Sequence, residues 1–212
     1  QWYGLAAFPY CDLYLGLAWM YDVPSGHMWI ELCHSYDGID WRREPFRPPW
    51  YPGRPGHWDY PLLCCAASPP VTVDDEVRIY YSARNWTHHG HLVDGAKEKR
   101  WGLGVLTLPR DRWIGYEACS GEGELLTQVI ERPQTLMLNA STQADGWLRV
   151  AVTDTDGNAL EGLGFDQAEP IAGDSFEHRP IWRDGKSMAD VAEERVRLRI
   201  CAWRATLYAV SL

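Results

Sequence analysis

Helical periodicity is almost missing from this chain of 212 residues. The best candidate, KSMADVAEERV (Lys186 to Val196), has room for one or two turns at most. Elsewhere the pattern is short apolar or alternating runs bounded by Gly, Pro and Asp, which predicts an all-β fold. Long apolar runs are missing too, and none approaches the roughly 20 residues that a membrane-crossing helix needs. Cations are scarce: 20 Lys and Arg stand against 29 Asp and Glu, a formal net charge of −9. That balance argues against a nucleic-acid backbone or an anionic membrane as partner. The six cysteines (Cys11, Cys33, Cys64, Cys65, Cys119 and Cys201) contain no CxxC pair. Most sit in apolar strand-like runs, so buried thiols are expected rather than a disulfide frame or a zinc site. The opening QWYGLAAFPY lacks the basic start and cleavage site of a signal peptide, and it lacks a starting Met. The chain therefore reads as mature, trimmed or a fragment, and its location stays open.

Phenylalanine is the rare aromatic. Four Phe stand against twelve Trp and eleven Tyr. Trp and Tyr join a flat apolar face to a hydrogen-bonding edge, the combination that stacks on sugar rings. Large β-proteins also use Trp as core filler, so the bias alone does not locate a site.

The first half predicts strands at YGLAAFPYC, LYLGLAWMY, HMWIELCHS and around WRRE, followed by a second set at LLCCAASPP, EVRIYYSAR, WGLGVLTL and RWIGYEA. The sets match in order and spacing, each an inner strand, a tight turn, a Tyr- or Trp-rich strand, a long loop and two closing strands. Two four-stranded meanders of this kind read as consecutive propeller blades. CSGEGE (Cys119 to Glu124) reads as a linker. After it come LLTQVI, TLMLNAS, GWLRVAVTD, RPIW, VRLRICAW and ATLYAVSL, a β-sandwich of about ninety residues. The expected domains are residues 1–118 and 119–212.

The stretches LCHSYDGIDWRRE, RPPWYPGRPGHWD, DDEVRIYYSARNWTHHGH and GLGVLTLPRDRW resemble the last two blades of a five-bladed β-propeller. The type is that of glycoside-hydrolase-like proteins related to families 32, 43 and 68. The remainder, from LLTQVI to LYAV, is similar to the β-sandwich that follows such propellers. The resemblance implies carbohydrate as partner, no cofactor, and two carboxylic acids acting on a glycosidic bond. In those families the principal acids lie in the first three blades, whereas this chain resembles the fourth onward. It implies one of three things: a longer protein, another copy that completes the ring, or lost catalysis.

Propeller ligands bind near the axis, on the face where each innermost strand begins. That rule gathers Trp2, Tyr3, Tyr21 and Asp22 from the first blade. From the second it gathers Trp58, Asp59, Tyr60, Arg84, Asn85, Trp86, His88 and His89. Asp59 is the catalytic candidate, because it opens an innermost strand and so points to the axis where paired acids must converge. The alternative for Asp59 is a turn cap or an ion pair with Arg54 or Arg84. Arg84 and Asn85 suit sugar hydroxyls or a carboxylate. HHGH lacks carboxylates at fitting spacing, so no metal site is expected. Asn85-Trp-Thr87 and Asn139-Ala-Ser141 are sequons, a triplet that arises readily by chance. Asp12, Asp74, Asp75 and Glu76 fall in turns on the far face, and Asp154, Asp156 and Asp174 in sandwich turns. SYDGIDW (Ser35 to Trp41) resembles the Asp-box of sialidase-type propellers, one residue short. There Asp37 is expected to hold a turn, with Gly38 permitting a positive φ and Trp41 anchoring the outer strand. Three functions compete: a glycoside hydrolase or its C-terminal half, a carbohydrate-binding protein without the acid/base set, and a structural role without ligand.

Overall fold

The computed structural model describes all residues except 66, 67 and 94. The protein is all-β, with open antiparallel sheets and two short 3-10 turns. It divides into two compact units, Gln1–Pro109 and Arg110–Leu212. Among the described residues no helix is long and apolar enough to cross a membrane.

The first unit opens with a four-stranded meander: β1 (Trp2–Tyr10), β2 (Leu13–Asp22), β3 (His27–Ser35) and β4 (Arg42–Arg43), in that order across the sheet. All four strands fall where the sequence predicts them. The turn into β4 is SYDGIDW, and its aspartate works as a local acceptor. Asp37 Oδ1 takes the backbone N–H groups of Ile39 and Asp40, each at 2.8 Å. The Ser35 hydroxyl takes that of Gly38 at 2.9 Å, and Gly38 sits at φ 75°. The Trp41 indole N–H closes back on the Gly38 carbonyl. These bonds hold the Asp37 carboxyl below the usual carboxylate range, the Asp40 amide contributing most.

The second sheet comprises β5 (Leu62–Cys65), β6 (Val71–Val73), β7 (Glu76–Arg84) and β8 (Trp101–Pro109). β5 and β6 lie end to end along one edge of β7, while β8 takes the other edge. β7 alternates strictly: Val77, Ile79, Tyr81 and Ala83 are buried, and the residues between them are not. Period-two patterning therefore gives this sheet one buried face, while β5 lies against β2 and β3 of the first sheet. The expected fourth strand, RWIGYEA, is not here. Its Tyr116–Ala118 segment forms β9 and pairs with a strand of the second unit. The cause is an anchor just upstream. The Arg112 guanidinium stacks on Phe176 and Tyr208, donates to Asn139 Oδ1 at 2.9 Å and bonds Asp174. The division accordingly falls at 109/110, nine residues before the expected 118/119.

The second unit is built on two 17-residue strands, β12 (Met137–Thr153) and β14 (Arg195–Ser211), paired along their length. β9, β10 (Gly123–Leu126) and β11 (Ile130–Glu131) line the free edge of β14 in sequence, and β13 (Asp174–His178) borders β12. Residues 143–146 bulge opposite Arg204, which sits at φ 46°. Inward residues from both sides of the bulge, Leu138 and Ala140 with Leu148, Val150 and Val152, share one core with Val196, Leu198 and Leu207. RPIW is not a strand; its Trp182 is buried in that core, with its indole N–H on the Val150 carbonyl. KSMADVAEERV supplies a single 3-10 turn, Met188–Asp190, capped by Ser187.

Candidate functional site

The predicted residues gather around one loop of the first unit, the connection from β7 to β8. Its His88 amide donates to the Gly26 carbonyl at 2.7 Å, seating the loop on the β2–β3 turn. Gly26 permits this approach: it sits at φ 71°, and a Cβ there would lie 3.0 Å from Thr87 Cβ. Asp22 holds the turn from below, accepting the Ser25 hydroxyl and backbone N–H. Those bonds keep its carboxyl below the usual range. Above the turn, the hydroxyl of Tyr3 on β1 shares a 3.0 Å hydrogen bond with His88 Nε2. That of Tyr21 on β2 does the same with His89 Nε2. The rings of Tyr3, Tyr21 and His88 meet edge to face or tilted, 4.8–5.8 Å apart. Tyr3, Tyr21 and Asp22 of the first sheet and His88 and His89 of the loop are thus brought together.

A second cluster sits at the base of the same loop. Arg84 ends β7, directly opposite Leu62 of β5 and Trp101 of β8. Its guanidinium lies 5.2 Å from the Trp86 ring centre, and the Lys99 ammonium lies 5.3 Å from the same ring. Trp86 and Trp101 line a cavity of about 460 Å³ with Leu62, Cys64, Ser82 and Arg84. That size lies within the range of small-molecule sites. Trp101 is 75% exposed, an unusual state for so large an apolar ring within a strand. Arg84 Nε is buried and has no hydrogen-bond acceptor. An unmet donor of this kind costs about 1–3 kcal/mol until an acceptor reaches it.

Asp59 is placed differently from its expected role. It is 0% exposed, and its carboxylate accepts the Tyr51 hydroxyl at 2.8 Å, the Tyr81 hydroxyl at 2.9 Å and Arg54 Nε at 2.9 Å. Burial pushes its carboxyl up, but these bonds and the Arg54 charge outweigh burial and hold it below the usual range. The same contacts and burial raise both tyrosine hydroxyls. Asp59 is the partner of Arg54, the ion-pair alternative foreseen for it, and stays ionised and enclosed. Glu31 repeats the pattern on β3: it is buried, bonded to Arg43 Nε at 2.8 Å and to the Trp29 indole at 2.9 Å.

The remaining predicted residues are scattered. Trp2 lies over Arg43, 5.8 Å from its guanidinium. Trp58 stacks on Tyr81 and lines a separate cavity of about 390 Å³ with Asn85, Lys97 and Arg100. Tyr60 packs edge-on against His27. Asn85 is buried; it accepts the Arg100 amide and donates to the Glu98 carbonyl, so it ties the loop rather than facing a ligand. Asn139 is buried likewise, so neither sequon asparagine is presented to solvent. Among the described residues no group of three or more His, Cys, Asp or Glu side chains converges to hold a metal ion. Asp154 accepts the Asp156 and Asn158 amides within its hairpin. No disulfide joins the cysteines; Cys33 and Cys65 are buried, and desolvation pushes each thiol up to about 12. Cys11 and Cys119 are exposed.

Trp101, Lys99 and Glu31 were not singled out from sequence. Glu31 left a signal, an acid inside an apolar strand with Arg42 and Arg43 waiting in the next. Trp101 left one in the alternation of WGLGVLTL, whose odd positions all face outward. Comparison with known proteins finds no match among family models, curated proteins or solved structures. The class is therefore carried by the fold and site alone: an all-β protein of two antiparallel units, with an aromatic and cationic site in the first.

Proposed function

We propose that this protein binds carbohydrate through the first unit, at the surface formed by the β7–β8 loop and the sheet beneath it. The observation that carries the reading is the Trp86–Trp101 cavity, with an exposed indole in a strand and hydrogen-bonding groups at its rim. Flat apolar rings bordered by polar heads match a pyranose, whose faces carry C–H and whose edges carry hydroxyls. The finer architecture we adopt follows the sequence resemblance: two neighbouring propeller blades, then a β-sandwich, of glycoside-hydrolase-like type.

Binding is preferred to hydrolysis because of the acids. A glycosidase needs two carboxyl groups flanking one bond, one of them protonated at working pH. Asp59 and Glu31 are each buried against an arginine, and Asp59 is held ionised. If the protein serves a hydrolase, its share is sugar contact, and the acid/base pair comes from a longer polypeptide or from another copy.

The test is a titration with a panel of neutral and acidic oligosaccharides, followed by Trp fluorescence and by NMR. At least one member saturates the protein, and Trp101→Ala weakens it about ten-fold or more while leaving the melting temperature unchanged. Silence across the panel, or a Trp101→Ala protein that binds like wild type, overturns the reading.

A further inference from the structure

We propose that the sugar taken at the Arg84–Trp101 cavity is acidic, carrying a carboxylate on its ring as a uronate does. The inference rests on the carbohydrate reading above and adds the charge of the ligand.

Arg84 and Lys99 carry the argument. Both heads lie against the Trp86 ring, and among the described residues no carboxylate pairs with either. Their neighbours behave otherwise: Arg54 holds Asp59, Arg78 holds Glu76 and Arg100 holds Glu98. The two cations share one aromatic ring, and the Arg84 Nε–H is a buried donor with no acceptor. Arg84 lines the cavity that Trp101 leaves open, and Lys99 reaches it through the shared Trp86 ring.

The donor geometry selects the anion. Guanidinium is a planar fork that takes a carboxylate by two parallel N–H bonds, and the Arg84 Nε–H already lacks an acceptor. Nε lies beneath the surface, so the fork engages by a small rotation over Trp86. Lys99 is exposed and supplies a mobile point charge near the same ring. A uronate pyranose offers both required elements, an apolar ring face for the indoles and a planar anion at its edge. The acidic balance of the whole chain does not oppose this locally. In sequence the loop sets Lys97, Lys99 and Arg100 against Asp94 and Glu98, and exposed charges beyond about 8 Å are largely screened at physiological ionic strength.

The experiment is calorimetry on the full chain with three ligands: an oligouronide, its neutral counterpart of the same backbone, and a sulfated neutral oligosaccharide. The oligouronide binds about ten-fold or more tightly than the neutral form, and the gap narrows as salt rises. Arg84→Gln and Lys99→Gln each shrink the gap, and Arg84→Lys does not restore it. Melting curves accompany every variant. If Arg84→Gln unfolds, exposed Lys99 and the salt dependence decide. Equal binding of uronide and neutral sugar overturns the acidic assignment and leaves carbohydrate binding standing. Sulfated sugar matching the uronide overturns the choice of carboxylate. No binding in any arm removes both readings.

Discussion

Removing the charge of Asp59 probes the cage formed by Tyr51, Arg54 and Tyr81. Asp59→Asn costs about 2–3 kcal/mol in denaturant unfolding at neutral pH, below the usual loss for a buried pair because half of Arg54 remains in water. The penalty also has a pH signature. The native carboxyl titrates below its unfolded value of about 3.9, so its contribution is complete above that pH and fades as pH falls through the native value. The gap between variant and wild type therefore closes under acid, and a gap independent of pH would refute the ion-pair account. This residue marks how far the sequence could be read. Its spacing to Arg54 named the right partner as an alternative, but Tyr51 and Tyr81 approach from distant positions, and nothing local announces them. Asp37 was readable for the opposite reason, since its acceptor bonds go to residues within three positions of it, Ser35, Ile39 and Asp40. Local hydrogen bonding is written in local sequence; cages are not.

Strands separate along the same line. The first meander was legible because its strands are apolar runs bounded by Gly, Pro and Asp, although the long loop expected before its third strand is the short turn 23–26. The sequence pattern divides β12 and β14 into two strands each, at TQAD and at Arg204. The real break is a bulge, not a loop: Arg204 takes a left-handed φ and reaches Gln143 Oε1 at 2.9 Å and Asp145 Oδ2 at 2.6 Å. A left-handed site favours glycine over any residue with a Cβ by about 1 kcal/mol. Arg204→Gly is accordingly more stable than Arg204→Ala by that amount in urea unfolding, although glycine elsewhere in a strand is the weaker choice. The reverse order would mean that the bulge relaxes without Arg204. The misassigned closing strand of the first unit failed for a related reason. RWIGYEA carries strand propensity, but its partner is chosen by Arg112, whose contacts lie 27 to 96 residues downstream.

At the scale of the molecule the boundary at 109/110 can be tested by cutting. A fragment of residues 110–212 keeps β9 and the Arg112 contacts with Asn139, Asp174 and Tyr208. It unfolds cooperatively and more stably than residues 119–212, by at least about 1–3 kcal/mol from the lost hydrogen bonds and ring contacts. Equal melting of the two fragments would restore the boundary at 118/119.

β14 is both the central strand of the second unit and the latest in chain order. During synthesis every strand pair of the two sheets in the first unit is available once residue 109 has emerged. β9, β10 and β11 find no neighbour until residues 195–211 follow, and one long edge of β12 waits as well. At ordinary ribosome speeds that interval lasts some seconds, during which exposed strand edges invite pairing with other nascent chains. A stop codon at Arg195 would therefore do more than shorten the second unit: it would leave β9, β10 and β11 without a partner and β12 with β13 alone.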